Sequence, residues 1–186
     1  GRTSLLTYPR DGRLPPRTRQ AMERSASPEG QRVQLARRGS VPAHGPEDMD
    51  LGDRCLVYRP VPITSSGYNN HVHILQSPGY VVIFQEQIHD VRIIPVDHRP
   101  EFPDDVRQWL GVSRGRWEGE TLVVETNHFY HQADYLGSNV NRNVVERFTR
   151  VADDAIEYEF MVDDPSVWVG PWSGVVPWRP AAGPLF

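Results

Sequence analysis

Hydrophobic and polar positions alternate along the middle of the chain, between residues 67 and 97. Three short runs, at 72–76, 80–87 and 91–96, are rich in β-branched and aromatic residues, and a Ser-Pro-Gly corner at 77–79 separates the first two. Alternation with a period of two is typical of strands that bury one face. The pattern therefore predicts three antiparallel strands joined by tight turns.

The Ser-Pro-Gly corner also predicts how the first two strands pair. If Pro78 and Gly79 form a two-residue loop, Val72 lies opposite Gln85 and His71 lies opposite Glu86. One face then carries four apolar residues, Val72, Ile74, Val81 and Ile83. The other face carries a mixed set, His71, His73, Leu75, Val82, Phe84 and Glu86. A shift of one residue would exchange the two faces, so this register is a testable prediction.

The same alternation returns in the second half of the chain. Strands are predicted at residues 121–126, 144–151 and 155–162, with a turn at 152–154. In the last of them the expected buried residues are Ile156, Tyr158, Phe160 and Val162, and the expected exposed residues are Glu157, Glu159 and Met161. Six strands, mostly antiparallel, favour a mainly β fold, either an antiparallel curled sheet or a small barrel.

Composition divides the chain near residue 66. Residues 1–66 hold 8 of the 17 prolines and many arginines, which predicts an irregular arm rather than a core. Three short helices are expected in this arm, at residues 17–24, 28–38 and 46–52. Residues 67–167 would form the antiparallel β domain, with a helical or loop segment at 103–110. The Trp- and Pro-rich residues 168–186 would be an extended tail that wraps the sheet.

Charge and motifs exclude several functions. All 20 basic residues are arginine and the net charge is −4, so the chain has no basic field that would collect nucleic acid. No apolar run approaches the roughly 20 residues of a membrane helix, so we expect no membrane span. Signatures for a nucleophile elbow, a phosphate loop, a Cys-x-x-Cys pair or a dinucleotide site do not occur. We therefore expect no cofactor.

Glu86, His89 and Arg92 occupy the connection between the second and third predicted strands. A carboxylate, an imidazole and a guanidinium within one turn would suit proton transfer in a lyase, isomerase or hydrolase. The alternative is an arginine–carboxylate clamp that only fixes the turn. A catalytic set opens onto a cavity, whereas a clamp is packed shut.

Asn70, His71 and His73 form a candidate ligand-binding patch at one end of the same sheet. Two imidazoles on one face, with Glu86 opposite, resemble a metal site, but the pattern favours a polar patch and we predict no metal.

Arg114, Trp117 and Glu118 form a second candidate ligand-binding cluster, beside a Gly-containing turn. Trp117 either stacks on a ligand or closes one end of a barrel.

Three runs carry a family resemblance: SPGYVVIFQEQIHDVRIIPVD, SRGRWEGETLVVETNHF and VERFTRVADDAIEYEFMVDDPSVW. Together they resemble a large family of uncharacterised secreted bacterial proteins, abundant in acidobacteria and environmental proteobacteria. Its members typically begin with a signal peptide and an Asp-Leu-Ser-Gly-x-Trp segment, which is similar to the first strand of lipocalin-like barrels. The resemblance implies a periplasmic or extracellular location and a partner for Cys55 beyond Phe186. We accordingly expect the natural polypeptide to extend past both ends of this sequence.

Three functions remain open. The first is a secreted, lipocalin-like β-barrel module that binds a small, partly apolar molecule. The second is an accessory subunit of a larger cell-envelope assembly, which would contact a protein partner through residues 1–66. The third is a lyase, isomerase or hydrolase that uses Glu86 and His89. We rank the binding module first and the enzyme last.

Overall fold

The computed structural model describes residues 5–37, 39–58, 61–64, 68–97, 100 and 102–181. Within these residues lie nine strands: β1 (Leu6–Tyr8), β2 (Val72–Ser77), β3 (Tyr80–Gln85), β4 (Val91–Pro95), β5 (Val112–Glu118), β6 (Thr121–Asn127), β7 (Asn143–Ala152), β8 (Ala155–Asp163) and β9 (Trp172–Trp178). Two α-helices precede most of them, α1 (Arg19–Ala26) and α2 (Pro28–Arg37). The prediction of a mainly β, antiparallel fold is confirmed.

The strands form two antiparallel sheets. The large sheet has the order β1-β9-β8-β7-β6-β5, and the small sheet has the order β2-β3-β4. Apolar residues of both sheets meet in one core, which includes Ile83 and Ile94 from the small sheet and Val124, Phe148 and Phe160 from the large one. Strands β4 and β5 lie close together, yet no ladder joins them in the described residues. Within the described residues the sheets are therefore not closed into a barrel.

The predicted register of β2 and β3 is confirmed. Val72 pairs with Gln85, Ile74 pairs with Ile83, and the backbone N–H of Glu86 donates to the carbonyl of His71 over 3.0 Å. Gly79 adopts φ +78° in the turn, a conformation that glycine reaches at little cost. The apolar face of the hairpin is buried against the large sheet, and His71, His73 and Leu75 lie on the exposed face.

The last hairpin also matches its prediction. In β8, Tyr158, Phe160 and Val162 are buried, whereas Glu157 and Glu159 are exposed. Burial on alternate positions is what a strand with one solvated face requires.

Three strands were missed in the sequence: β1, which lies in the arm predicted to be irregular, β5 and β9. Residues 112–118, where no strand was predicted, form β5; a Cβ on Gly115 would lie 2.8 Å from a methyl of Val96, so the glycine permits close approach of the small sheet. The Trp- and Pro-rich tail was predicted to be an extended coil, which is wrong for residues 172–178. They form β9, which pairs with both β8 and β1. Residues 103–110 contain no helix where the structure describes them.

The arm packs on the sheets of its own chain. Its helices lie within two residues of the predicted bounds, and a single 3-10 turn, Pro46–Asp48, replaces the third. The N–H of Thr18 donates to the carbonyl of Val167 over 2.9 Å, and Val61 is fully buried in the shared core. The guanidinium of Arg32 donates to the carboxylate of Asp48, and this contact ties α2 to the 3-10 turn. The same hydrogen bond lowers the pKa of Asp48 to about 2.

No helix in the described ranges is both long and apolar enough to cross a membrane.

Candidate functional site

A cleft of about 440 Å³ opens where the ends of β2, β3 and β9 meet. We call it the polar cleft, because Gln85 forms part of its wall and Asn70 and His71 also line it. The remaining lining is mostly apolar and includes Ile63, Val72, Val176 and Trp178. An apolar cleft with a few converging polar groups is the usual form of a small-molecule site.

Gln85 is the unusual residue of this cleft. It follows Val81 and Ile83 with the period of the strand, so its side chain enters the interior and is only 1% exposed. Neither Oε1 nor Nε2 finds a hydrogen-bond partner among the described residues. Burying such an amide costs about 1–3 kcal/mol, and native proteins contain few of them. The amide therefore offers one acceptor and two donors to a molecule in the cleft.

Trp178 forms a rigid apolar wall opposite the small sheet. Its ring stacks on Tyr158 with centroids 4.7 Å apart, and it meets Phe148 edge-on at 5.7 Å. Both partners are buried, so packing fixes the orientation of the indole before any ligand enters.

The first predicted ligand-binding patch is partly assembled here. Asn70 and His71 line the polar cleft, and the backbone N–H of His71 donates to a carboxylate oxygen of Glu86 over 3.2 Å. His73 lies on the exposed face of β2 and does not contribute to this cleft.

The second predicted patch divides between a different cleft and the surface. Trp117 lines a separate space of about 310 Å³ with apolar walls, which we call the apolar cleft. Arg114 donates to the carbonyl of Pro100, and Glu118 forms ion pairs with Arg116 and Arg147, each at 3.0 Å.

The predicted catalytic trio does not converge in the structure. Glu86 is half-buried beside His71, whereas His89 is exposed and meets the ring of Phe84 edge-on at 6.1 Å. Arg92 lies on the inner face of β4 and is 3% exposed. Alternation explains this separation, because Arg92 pairs with Ile83 and so shares the buried face of β3.

Arg92 instead bridges the two sheets. Its guanidinium donates to both carboxylate oxygens of Glu146 on β7, at 3.0 and 2.6 Å, and to the hydroxyls of Ser113 and Thr126, each at 3.0 Å. Arg92 does form a packed clamp, as one interpretation of the sequence expected, but its carboxylate partner comes from the opposite sheet. The sequence analysis did not single out Glu146, although it lies on the buried face of β7 together with Val144 and Phe148.

Tyr158 completes the network around Glu146. Its hydroxyl donates to Glu146 over 2.8 Å and accepts the backbone N–H of Ile63 over 2.9 Å. Complete burial, together with the neighbouring carboxylate, raises the pKa of Tyr158 well above its ordinary value. We call Arg92, Glu146, Ser113, Thr126 and Tyr158 the clamp.

The described part of the chain contains no group of three or more His, Cys, Asp and Glu side chains placed to hold a metal ion. Cys55 is a free, exposed thiol. Its expected partner beyond Phe186 stays a prediction.

Comparison of the chain with protein-family models, with curated proteins and with solved structures found no match. The resemblance to secreted bacterial proteins, and the location it implies, therefore stay predictions.

Proposed function

We propose that the protein binds a small, partly apolar molecule in the polar cleft. The observation that carries this proposal is the buried amide of Gln85, which lacks partners in the described residues at the wall of a cleft of about 440 Å³. A ligand that pairs with the amide would recover the hydrogen bonds that folding removes from it.

The lining indicates the chemistry of the ligand. A glutamine amide pairs best with a neutral group that presents a donor and an acceptor side by side, such as an amide, a lactam or a carboxylic acid. Arg179 lines the cleft, but its guanidinium already pairs with Asp154 over 3.0 Å. The indole of Trp178 suits a flat apolar body. A neutral amide with an aromatic or aliphatic ring fits these groups together.

Two observations favour binding over the other functions. An acid/base enzyme needs its groups to converge, and Glu86, His89 and Arg92 lie on different faces of the small sheet or at its exposed end. An accessory subunit would use its arm on another protein, yet the described part of the arm packs against β9 and the shared core.

The test uses benzamide as a probe and amide-resolved NMR of the whole chain. We expect benzamide to shift the side-chain amide signal of Gln85 and the indole signal of Trp178. Gln85→Met should abolish these shifts, because it keeps the length of the side chain and removes the amide. Gln76→Met is the matched control, since Gln76 is exposed on the neighbouring strand and lies outside this cleft.

Two results would overturn the proposal. One is a set of shifts that leaves Gln85 and Trp178 unmoved at saturating benzamide. The other is unchanged benzamide affinity in folded Gln85→Met.

A second probe tests the hydrogen bond itself. N,N-dimethylbenzamide, which lacks the donor, should bind more weakly than benzamide, and equal binding would show that the amide is not recognised.

The family resemblance supports a periplasmic or extracellular location for this binding activity. Detection of the natural protein in periplasmic and culture-medium fractions tests that location, and a purely cytoplasmic protein would contradict it.

A further inference from the structure

The apolar cleft lies between the β2–β3 hairpin and the middle strands of the large sheet. Its inner walls are formed by Ile83, Leu122 and Phe148, which are 0%, 3% and 6% exposed. Ile74 and Ile156 flank it and are half-buried. A hydrocarbon group that enters this space of about 310 Å³ loses its contact with water, and this burial favours binding.

The mouth of the apolar cleft carries an exposed indole. Trp117 lies on the strand position that faces Leu122, so its ring is on the inner side of β5, yet it is 46% exposed. One interpretation of the sequence had Trp117 close one end of a barrel, but the described strands do not form a closed barrel. An indole held at a mouth in this way can receive a cation on its face.

The unpaired charge at this mouth is negative. Glu120 lines the cleft from the β5–β6 turn, and its carboxylate makes no hydrogen bond or ion pair with any residue that the structure describes. Arg150 also lines it, but its guanidinium donates to the carbonyls of Ala152 and Asp153 at 3.2 and 3.0 Å and to the carboxylate of Asp153 at 3.4 Å. The positive group is therefore engaged in its own turn.

We propose that the apolar cleft binds an apolar amine. The hydrocarbon part lies against Ile83, Leu122 and Phe148, and the ammonium stays at the mouth between the indole of Trp117 and the carboxylate of Glu120. This site shares no lining residue with the polar cleft, so it stands independently of the function proposed there.

The first experiment compares chain length and head group. Linear alkylamines, alcohols and carboxylates of six to ten carbons, all below their micelle concentrations, are titrated into the whole chain by calorimetry at low salt. We expect affinity to rise about fourfold per methylene until the chain fills the cleft. An amine should bind about threefold to tenfold more tightly than the alcohol of equal length, and the carboxylate more weakly than the alcohol.

The second experiment places these effects in the cleft. Ile74→Trp and, from the opposite wall, Ile156→Trp should each fill the space and reduce binding of the amine and the alcohol at least tenfold. Leu75→Trp is the control, since Leu75 lies on the exposed face of the same strand. Glu120→Gln should remove the preference for the amine and leave the affinity for the alcohol unchanged, whereas Glu157→Gln on the exposed face of β8 should change neither.

Several outcomes would overturn this proposal. Affinity that does not depend on chain length would exclude a hydrocarbon site, and equal affinities for amine and alcohol would exclude the role of the mouth. Unchanged binding in a folded Ile74→Trp or Ile156→Trp variant would place the site elsewhere.

Discussion

Arg92 and Gln85 are neighbours on the inner face of the small sheet, and they differ sharply in their partners. Arg92 pairs with Ile83 on β3, and Gln85 lies two positions further along that strand. Both are almost completely buried. Arg92 donates four hydrogen bonds to the large sheet and leaves only Nε unpaired, whereas neither side-chain atom of Gln85 has a partner in the described residues. Burial alone therefore does not indicate function; the partners of the buried group do.

The large sheet explains this difference. Strands β5, β6 and β7 place Ser113, Thr126 and Glu146 against Arg92, so the guanidinium donates to a carboxylate and two hydroxyls. Near Gln85 the strand β9 contributes Val176 and Trp178, which offer the amide an apolar wall. The clamp therefore joins the two sheets by hydrogen bonds, whereas the amide of Gln85 faces apolar residues of the polar cleft.

The largest expected effect is the loss of the clamp in Arg92→Met. This variant leaves the carboxylate of Glu146 buried without its cation, and breaking such a pair costs about 3–5 kcal/mol. Urea unfolding, followed by circular dichroism, measures the loss of the free energy of unfolding. The double variant Arg92→Met, Glu146→Leu should be much less destabilised than Arg92→Met alone, because it leaves no unpaired charge. Equal losses in the single and the double variant would mean that the unpaired carboxylate of Glu146 does not cause the destabilisation.

A smaller effect is expected for Tyr158→Phe. The variant removes the hydroxyl that donates to Glu146 and leaves the buried N–H of Ile63 without its acceptor. We expect a loss of about 1–3 kcal/mol in the same urea experiment. Tyr8→Phe is the control, since Tyr8 is the exposed residue of strand β1. A loss no larger than that of the control would mean that water replaces the hydroxyl.

Much of the small sheet was predictable from its sequence. The Ser-Pro-Gly corner determines a two-residue turn, and alternation then determines which side chains face the core, including the burial of Val81 and Ile83. The same alternation contained the signals for Gln85 and Glu146. Each is a polar residue at a position that alternation predicts to be buried. This mismatch could have identified both residues in the sequence.

The partners of these residues were not predictable. Arg92 and Glu146 are 54 residues apart in the chain, and local spacing favours Glu86 as the partner of Arg92. How the two sheets pack decides which carboxylate the guanidinium meets, and hairpin geometry does not determine that packing. The tail was misinterpreted for a similar reason. Pro177 lacks a backbone N–H and therefore argues against a strand. Residues 172–178 nevertheless form one, because β9 pairs with β8 on one side and with β1 on the other.

Alkaline pH provides a third test of the clamp. Since burial raises the pKa of Tyr158, the folded state keeps its proton at pH values where the unfolded chain, with a tyrosine pKa near 10, releases it. Stability from this group is complete below about pH 10 and falls as pH rises, by at most about 1.4 kcal/mol per pH unit. Between pH 10 and 11, Tyr158→Phe should lose less stability than the parent chain. Identical slopes would mean that Tyr158 ionises in the folded protein as readily as in the unfolded one.

The smallest expected effect, and the one that separates the two regions most clearly, belongs to Gln85→Met. Removing a paired buried group destabilises a protein, but removing an unpaired amide abolishes a desolvation cost, and methionine fills a space of similar shape. We therefore expect the free energy of unfolding to stay constant or rise by up to about 1 kcal/mol, opposite in sign to Arg92→Met. The exposed Gln76→Met supplies the baseline for the chemical change alone. A loss of more than about 1 kcal/mol relative to that baseline would mean that the amide is paired in the folded state, as Arg92 is, and Gln85 would then belong to the framework of the fold rather than to a binding site.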